Sequence, residues 1–341
     1  MSGATGEGAP APAPNPSPDD LARLVAAPGP AAIPWTDARN PARPLVLNTY
    51  RGAGYRPGEG AVVVVQHGQG RNGAEYRDAW APAADRHGLL VVAPTFPEAS
   101  WPGPNAYNNG LSREASAAVA AAAGTGDPAP LAPALRPRED WGYGVPARAL
   151  AALREAGVVA GGHKPYLFGH SGGGQFVHRL LSAMPPELGT GLYAEAAAAN
   201  PGWYTLPTLA APFPDGLGGL GLGEADLARL LAYPLTVLAG DRDTDPHMES
   251  LPRHASAMAQ GPHRFARAHH YVERGRAEAR RLGVPCDWRL VVAPGVAHEG
   301  FRMAAAAAAL WFEGRAPGVP GAPGAVSRVA ATDGEGAPRG R

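Results

Sequence analysis

Short apolar runs alternate with stretches of helical periodicity through the middle of the chain. Continuous runs rich in β-branched and other apolar residues are typical of strands buried on both faces of a sheet. Such runs predict strands at residues 61–66, 89–93, 165–169, 193–199, 235–239 and 288–293.

Between these runs, apolar residues recur at helical spacing. The spacing predicts helices at residues 72–87, 141–156, 176–184, 262–282 and 304–312. Strands that alternate with helices form parallel sheets with helices on both sides. We therefore expect an α/β fold with a mostly parallel central sheet and helices on both faces.

Both ends of the chain are low in complexity. Residues 1–20 and 315–341 are rich in Pro, Gly and Ala, and we predict that both are disordered tails. The folded domain is then expected to span residues 21–314. Two irregular stretches inside it, residues 97–140 and 203–230, are candidates for a lid or for loops that form a pocket.

Composition narrows the class of protein. The 341 residues carry 30 basic and 30 acidic side chains, so no net charge attracts nucleic acid or an anionic membrane. The one cysteine, Cys286, excludes an internal disulfide and a cysteine-based metal cluster. No apolar run reaches the ~20 residues of a membrane-spanning helix, and the amino terminus lacks the features of a secretory signal. We expect a cytoplasmic protein without metal, cofactor, nucleic-acid or membrane partner.

Ligands of parallel sheets bind beyond the carboxyl ends of the strands. The sequence Gly-His-Ser-Gly-Gly at residues 169–173, here called the elbow, follows one predicted strand and precedes a helix. A strand-to-helix turn this tight lifts the serine hydroxyl above the sheet and requires small neighbours. We predict that Ser171 is a catalytic nucleophile and that His170 points away from the reaction. The alternative, a glycine-rich turn that only starts a helix, is less favoured because the required strand and helix flank the motif.

A serine hydroxyl needs a base, and His298 has the best placement of the eleven histidines. It lies between the last predicted strand and the last predicted helix. His263, His269 and His270 belong to a helix rich in Arg and Glu and are expected on a solvated face. We predict that His298 is the general base.

The base needs an acid that fixes its tautomer. Three aspartates follow the strand at residues 235–239 within five positions. Asp241 is close enough to the strand to cap the turn or pair with Arg242. Asp243 lies one turn further, where a loop can bring it towards His298, so we predict Asp243, with Asp245 as the next choice.

Residues 67–70, His-Gly-Gln-Gly, follow the first predicted strand and are here called the amide loop. Glycines in this position allow a backbone N–H to approach a substrate carbonyl. We predict that the N–H groups of Gln69 and Gly172 form an oxyanion hole.

Aromatic residues past two strand ends are candidates for the substrate pocket. We predict that Tyr107 and Trp203 bind substrate, and we regard Trp101 as equally compatible with the pocket and with the core. Aromatics with a few amides suit a small or medium-sized apolar acyl group with few polar contacts.

Four segments together, HGQG, GHSGG, GDRDTD and GVAHEG, resemble the α/β-hydrolase superfamily over about residues 40–313. Ser171, Asp243 and His298 occur in the chain order of that fold. QHGQGRNGAEY and residues 93–97 are similar to the polyhydroxybutyrate depolymerase and feruloyl esterase-like branch, which often has Cys and Ala where this chain has His170 and Gly172. The resemblance implies transfer of an acyl group to water through an acyl-serine intermediate.

Three classes of function are compatible with these residues. A serine esterase acting on a small-molecule ester is the first, and an acyltransferase or peptidase with the same residues is the second. A ligand-binding member without activity is the third, and the complete set of three residues argues against it. Zinc hydrolysis is disfavoured because no H-E-x-x-H motif occurs, and Gly68, Gly70 and Gly73 lack the spacing of a dinucleotide-binding loop.

Overall fold

One sheet of eight strands forms the centre of the molecule. The structure is a computed structural model that describes residues 14–107, 116–127, 129 and 131–315. The strands are Gly29–Thr36 (β1), Pro44–Arg51 (β2), Val62–Gln66 (β3), Leu90–Thr95 (β4), Tyr166–His170 (β5), Ala196–Ala199 (β6), Leu235–Gly240 (β7) and Arg289–Ala293 (β8). They are arranged β1-β2-β4-β3-β5-β6-β7-β8.

The sheet is parallel from β4 through β3 to β8 and antiparallel at the end formed by β1 and β2. Its helices are Pro18–Leu24 (α1), Gly73–His87 (α2), Gly103–Ala106 (α3), Ser116–Thr125 (α4), Val145–Glu155 (α5), Gly172–Ala183 (α6), Glu224–Leu231 (α7), Ala255–Ala259 (α8), Arg264–Leu282 (α9) and Gly300–Phe312 (α10). The predicted α/β class and mostly parallel sheet are confirmed.

Alternate residues of the strands pack into two cores, one on each face of the sheet. In β3, Val62 and Val64 join the core that includes Phe176 of α6 and Tyr271 of α9. Their neighbours Val63 and Val65 join the core under α2 and α10. Because successive strand side chains point to opposite faces, a continuous apolar run is buried on both sides.

The six predicted strands correspond to β3 to β8, whereas β1 and β2 were not predicted. Strand β1 contains Pro30 and Pro34, which lack a backbone N–H and argue against a strand in the interior of a sheet. At the outer edge of the sheet this loss is tolerated, and β2 pairs with β1 antiparallel along its whole length.

The predicted amino-terminal tail overlaps with α1. Ser17 accepts a hydrogen bond from the Asp20 backbone N–H, and the Asp20 side chain accepts one in return from the Ser17 N–H. This capping box begins a helix at Pro18, so residues 18–20 are helical rather than disordered. Residues 1–13 and 316–341, which make up most of the two predicted tails, lie outside the described residues.

The two predicted irregular stretches contain short helices. Helices α3 and α4 lie within residues 97–140, and α7 begins at Glu224 within residues 203–230. Residues 108–115, 128 and 130 of the first stretch lie outside the described residues. Within the described part of the chain, no helix combines the length and apolarity needed to cross a bilayer.

Candidate active site

The backbone at Ser171 is strained, with φ 57° and ψ −118°. A non-glycine residue rarely adopts a positive φ, and such strain is concentrated at functional sites. The elbow holds this conformation because the flanking glycines let the chain pass closely. A Cβ on Gly169 would overlap the Gly173 carbonyl, and one on Gly173 would overlap the carbonyl of Gln66 in β3. The predicted strand–turn–helix is therefore present, with β5 before Ser171 and α6 after it.

The structure brings Ser171, His298 and Asp243 together at the carboxyl ends of β5, β8 and β7. Ser171 Oγ lies 3.0 Å from His298 Nε2. His298 Nδ1 lies 2.7 Å from Asp243 Oδ2, and the Asp243 side chain is only 1% exposed. The three side chains form a hydrogen-bonded line in which one nitrogen of the imidazole faces the hydroxyl and the other faces the carboxylate.

The neighbouring aspartates have other partners. Asp241 Oδ1 accepts a hydrogen bond of 2.7 Å from the Gly295 backbone N–H. Asp245 is exposed and accepts one of 2.8 Å from the His247 N–H. Both carboxylates stabilise turns, and among the three aspartates it is Asp243 that contacts His298.

A buried arginine stands behind this carboxylate. Arg264, the first residue of α9, is 1% exposed, and its Nη1 lies 3.6 Å from Asp243 Oδ1. Its Nη2 donates to Ser250 Oγ at 3.0 Å. Burial lowers the pKa of Arg264, and the charge of Asp243 opposes that shift. Sequence reasoning did not identify this residue, because nothing distinguishes it from the other arginines of α9.

The amide loop lies against the elbow. A Cβ built on Gly172 would lie 3.2 Å from the backbone nitrogen of Gln69, so the two predicted N–H donors are neighbours. Gly172 is also the first residue of α6, where backbone N–H groups have no partner within the helix. A negative charge that develops near Ser171 Oγ would be stabilised by the N–H groups of Gln69 and Gly172.

His67 fixes the position of the amide loop. Its Nε2 accepts a hydrogen bond of 3.0 Å from the Phe96 backbone N–H, so Nδ1 carries the proton and donates to the Gly68 carbonyl at 2.7 Å. Burial lowers the pKa of His67 to about 3. This histidine is therefore a neutral structural group rather than a base.

A cavity of about 400 Å³ opens beside Ser171 and His298. Its walls come from the amide loop, the start of α2, the elbow, Ser250 and the start of α10. Phe301, which is 63% exposed, contributes an aromatic surface at its rim. Among the described residues that line it, Glu75 is the one carboxylate and no lysine or arginine takes part.

The two predicted substrate-binding residues are both buried. Tyr107 is buried, donates to the His67 carbonyl at 2.6 Å and stacks on the His67 ring at 4.4 Å. Trp203 packs between the guanidinium of Arg179 and the ring of His254. Neither lines the cavity at Ser171, although Tyr107 lines a smaller cavity that Gln69 also lines. Trp101 is likewise fully buried.

The position of His170 also differs from the prediction. Its ring does not point away from the reacting groups but packs against His298, with ring centroids 4.5 Å apart. Tyr76 Oη lies 2.9 Å from His170 Nδ1. Sequence reasoning missed Tyr76, although it lies in the first turn of the helix that follows the amide loop and so starts at the same edge of the sheet.

The described residues contain no group of three or more His, Cys, Asp or Glu side chains that could hold a metal ion. The side chains that meet at the cavity are a serine hydroxyl, an imidazole and a carboxylate.

Comparison with known proteins found relatives among solved structures. No family model matches the chain, and no curated protein matches it. The chain is 49% identical to LpqC, a poly(3-hydroxybutyrate) depolymerase from Bordetella parapertussis, over 88% of this chain and 96% of that one, with a TM-score of 0.77. It is 33% identical to poly(aspartic acid) hydrolase-1 from Sphingomonas sp. KT-1, over 83% and 98% of the two chains, with a TM-score of 0.72.

These similarities extend over nearly the whole length of both relatives, and the mostly parallel eight-stranded sheet is consistent with them. The predicted resemblance is confirmed: this chain belongs to the α/β-hydrolase superfamily.

Proposed function

We propose that the chain is a serine hydrolase that cleaves carboxylic esters through an acyl-enzyme intermediate. The observation that carries the proposal is the hydrogen-bonded line from Ser171 through His298 to Asp243, with steps of 3.0 and 2.7 Å, at the wall of an open cavity. Hydrogen-bond contact between nucleophile and base, and between base and a third group, is the arrangement that activates a serine.

In the first half of the reaction, Ser171 Oγ attacks the ester carbonyl carbon as His298 Nε2 takes the hydroxyl proton. Asp243 accepts the Nδ1–H bond and stabilises the imidazolium. The carbonyl oxygen becomes an oxyanion, which the N–H groups of Gln69 and Gly172 bind. When the C–O bond to the alcohol breaks, His298 returns its proton to the leaving oxygen and the acyl group stays on Ser171.

In the second half, water repeats the attack on the acyl-serine. His298 takes a proton from the water, the oxyanion forms again between the same donors, and the bond to Oγ breaks. The proton on His298 returns to Oγ, which releases a carboxylic acid and restores the enzyme.

The walls of the cavity favour an uncharged ester. Tyr76, Ala79 and Phe301 supply apolar surface, and the Glu75 carboxylate repels an anionic acyl chain. The similarity to a poly(3-hydroxybutyrate) depolymerase supports ester chemistry. Hydrolysis of an amide is the second candidate, favoured by the similarity to poly(aspartic acid) hydrolase-1.

The test uses p-nitrophenyl esters of increasing acyl length and the p-nitroanilide of one shared acyl group. We expect turnover of the esters and a loss of roughly 10³-fold or more in Ser171→Ala. A fluorophosphonate should label the wild type on the peptide that contains Ser171. Ser100→Ala, a serine outside the cavity whose hydroxyl bonds the Pro44 carbonyl, is the matched control and should keep its activity.

Full activity in Ser171→Ala would refute the nucleophile assignment. Faster cleavage of the anilide than of the ester would favour the amide hydrolase. A protein that cleaves neither substrate and takes up no label would be a binding member of the fold.

A further inference from the structure

Three loops that carry proposed reaction groups meet at the hydroxyl of Tyr76. This oxygen lies 2.9 Å from His170 Nδ1 in the elbow. A Cβ built on Gly68, in the amide loop, would lie 3.0 Å from the same oxygen. A Cβ built on Gly300, in the segment that carries the proposed base, would lie 3.3 Å from it and 3.2 Å from His170 Nδ1. The Tyr76 hydroxyl is therefore a shared contact of the elbow, the amide loop and the segment of the base.

The protonation states of the two side chains follow from their burial. Burial raises the pKa of Tyr76 to about 12, so the phenol keeps its proton near neutral pH. Burial first, and then the charges of His298 and Arg264, hold the pKa of His170 well below its usual value. Both groups are therefore uncharged, and we assign the phenol O–H as the donor to Nδ1 of the neutral imidazole.

His170 in turn supports the ring of His298. The two imidazoles pack with centroids 4.5 Å apart and planes inclined by 38°. His170 Nε2 is buried and has no hydrogen-bond partner among the described residues, so His170 contacts His298 through its ring. The titratable and charged groups that face it are Tyr76 from α2, His298 itself and Arg264 from α9.

We propose that Tyr76 and His170 are positioning residues that hold the His298 ring and the amide loop in the arrangement that the serine reaction needs. Burial keeps His170 neutral, and the Tyr76 hydroxyl holds its ring in place. A neutral ring does not oppose the positive charge that His298 acquires when it takes the serine proton. The same hydroxyl packs against Gly68, the residue before one of the two oxyanion donors. Neither side chain exchanges a proton with substrate. This inference rests on the proposed serine-hydrolase function.

The first test is Tyr76→Phe, which keeps the ring and removes the hydroxyl. We expect kcat for a p-nitrophenyl ester to fall roughly tenfold, the value of one buried hydrogen bond, while KM stays within about twofold. Without the tyrosine O–H, Nδ1 of His170 is free to bind a proton, so activity on the acid side of the pH profile should be lost at higher pH than in the wild type.

The second test is His170→Asn, alone and together with Tyr76→Phe. Asparagine still offers an acceptor to the Tyr76 hydroxyl but cannot become charged. In the double variant the acid-side loss caused by Tyr76→Phe should therefore disappear. The reductions in kcat should also be less than multiplicative, because both substitutions disrupt the same unit.

The matched control is Tyr50→Phe, which removes a hydroxyl whose partner, Asp85, is on the surface. It should keep the wild-type kcat and pH profile. Thermal unfolding of every variant distinguishes a variant that is unfolded from one that is folded but has lost the positioning contact. If Tyr76→Phe does not fold, the kinetics of His170→Asn alone test the positioning role.

The two proposals fail separately. If Ser171→Ala is inactive while folded Tyr76→Phe has the kcat and acid limb of the wild type, the positioning role is wrong and the serine mechanism stands. If Ser171→Ala keeps full activity, the proposed function itself is wrong. Multiplicative losses with an unchanged pH profile in Tyr76→Phe would also overturn the inference, since independent structural damage produces that pattern.

Discussion

Asp243 and Asp245 are two positions apart in the chain, but one side chain is buried and the other is exposed. Asp243 is buried between His298 and Arg264, and its backbone carbonyl accepts a hydrogen bond from Phe265 in the first turn of α9. Asp245 is exposed and serves only a local turn. An aspartate therefore contacts the proposed base at position 243 and stabilises a turn at position 245.

This contrast predicts unequal effects of two identical substitutions. Asp243→Asn should lower kcat for ester hydrolysis roughly 10³-fold, because an amide cannot hold His298 in the required tautomer. Asp245→Asn, the matched control, should stay within about twofold of the wild type because its site is solvated. Steady-state kinetics at pH 7 measures both. An equal loss in the two variants, or a larger one in Asp245→Asn, would contradict the assignment of Asp243.

At the scale of elements, the site depends on how closely α6 and β3 approach each other. Gly173, in the first turn of α6, passes so close to the end of β3 that a Cβ there would overlap the Gln66 carbonyl and lie 2.7 Å from the His67 carbonyl oxygen. Both obstacles are backbone atoms, which cannot move without shifting the strand. The elbow and the amide loop can therefore lie this close only because residue 173 is a glycine and has no Cβ.

Gly173→Ala should therefore separate these two elements. We expect a fall in Tm of roughly 5 °C or more, with loss of ester hydrolysis because the oxyanion donors lie on the two displaced segments. Gly124→Ala in α4 is the control, since a Cβ there meets no atom within 4 Å and alanine is the better helix former. Differential scanning calorimetry measures the Tm of both variants. A Gly173→Ala protein as stable as Gly124→Ala would show that the close approach of α6 and β3 is not required.

At the scale of the whole molecule, three histidines are buried in an uncharged form. His67, His170 and His178 all have pKa values lowered by burial, His67 to about 3. His178 is held by the Gly174 carbonyl and the Thr205 backbone N–H, both distant from the surface. Their neutral forms contribute to the packing, and their charged forms are not compatible with it.

Acid should therefore unfold the protein. An unfolded histidine binds a proton near pH 6.5, whereas these folded ones do not, so stability is complete above that pH and falls as the pH drops towards their folded pKa values. Each such histidine contributes up to about 1.4 kcal/mol of lost stability per pH unit in this range. Tm measured from pH 7.5 to pH 4.5 should fall on the acid side.

His178→Gln supplies a neutral amide in place of a group that must be deprotonated. We expect a smaller change of Tm with pH in this variant, while His247→Gln, an exposed control, should follow the wild type. An identical slope in all three proteins would show that buried histidines do not govern the acid sensitivity.

Much of this protein is determined by local sequence. The apolar runs identify β3 to β8. A strand that is covered on both faces of a sheet consists of a continuous apolar run, which can be recognised without knowing the neighbouring strands. The elbow is equally local, since a tight strand-to-helix turn requires small residues at fixed positions. Together with chain order, these features predicted the superfamily and selected Ser171, His298 and Asp243, which the structure then brings together.

Tertiary structure decided the features that depend on contacts between distant segments. The burial of Tyr107 and Trp203 follows from residues such as His67 and Arg179, whose proximity no local pattern encodes. The meeting of His170 and Gly300 at the Tyr76 hydroxyl joins three segments that are separated by 94 positions or more. Periodicity reports only which face of an element is buried, and a hydrogen bond between loops depends on how the whole sheet positions its strand ends.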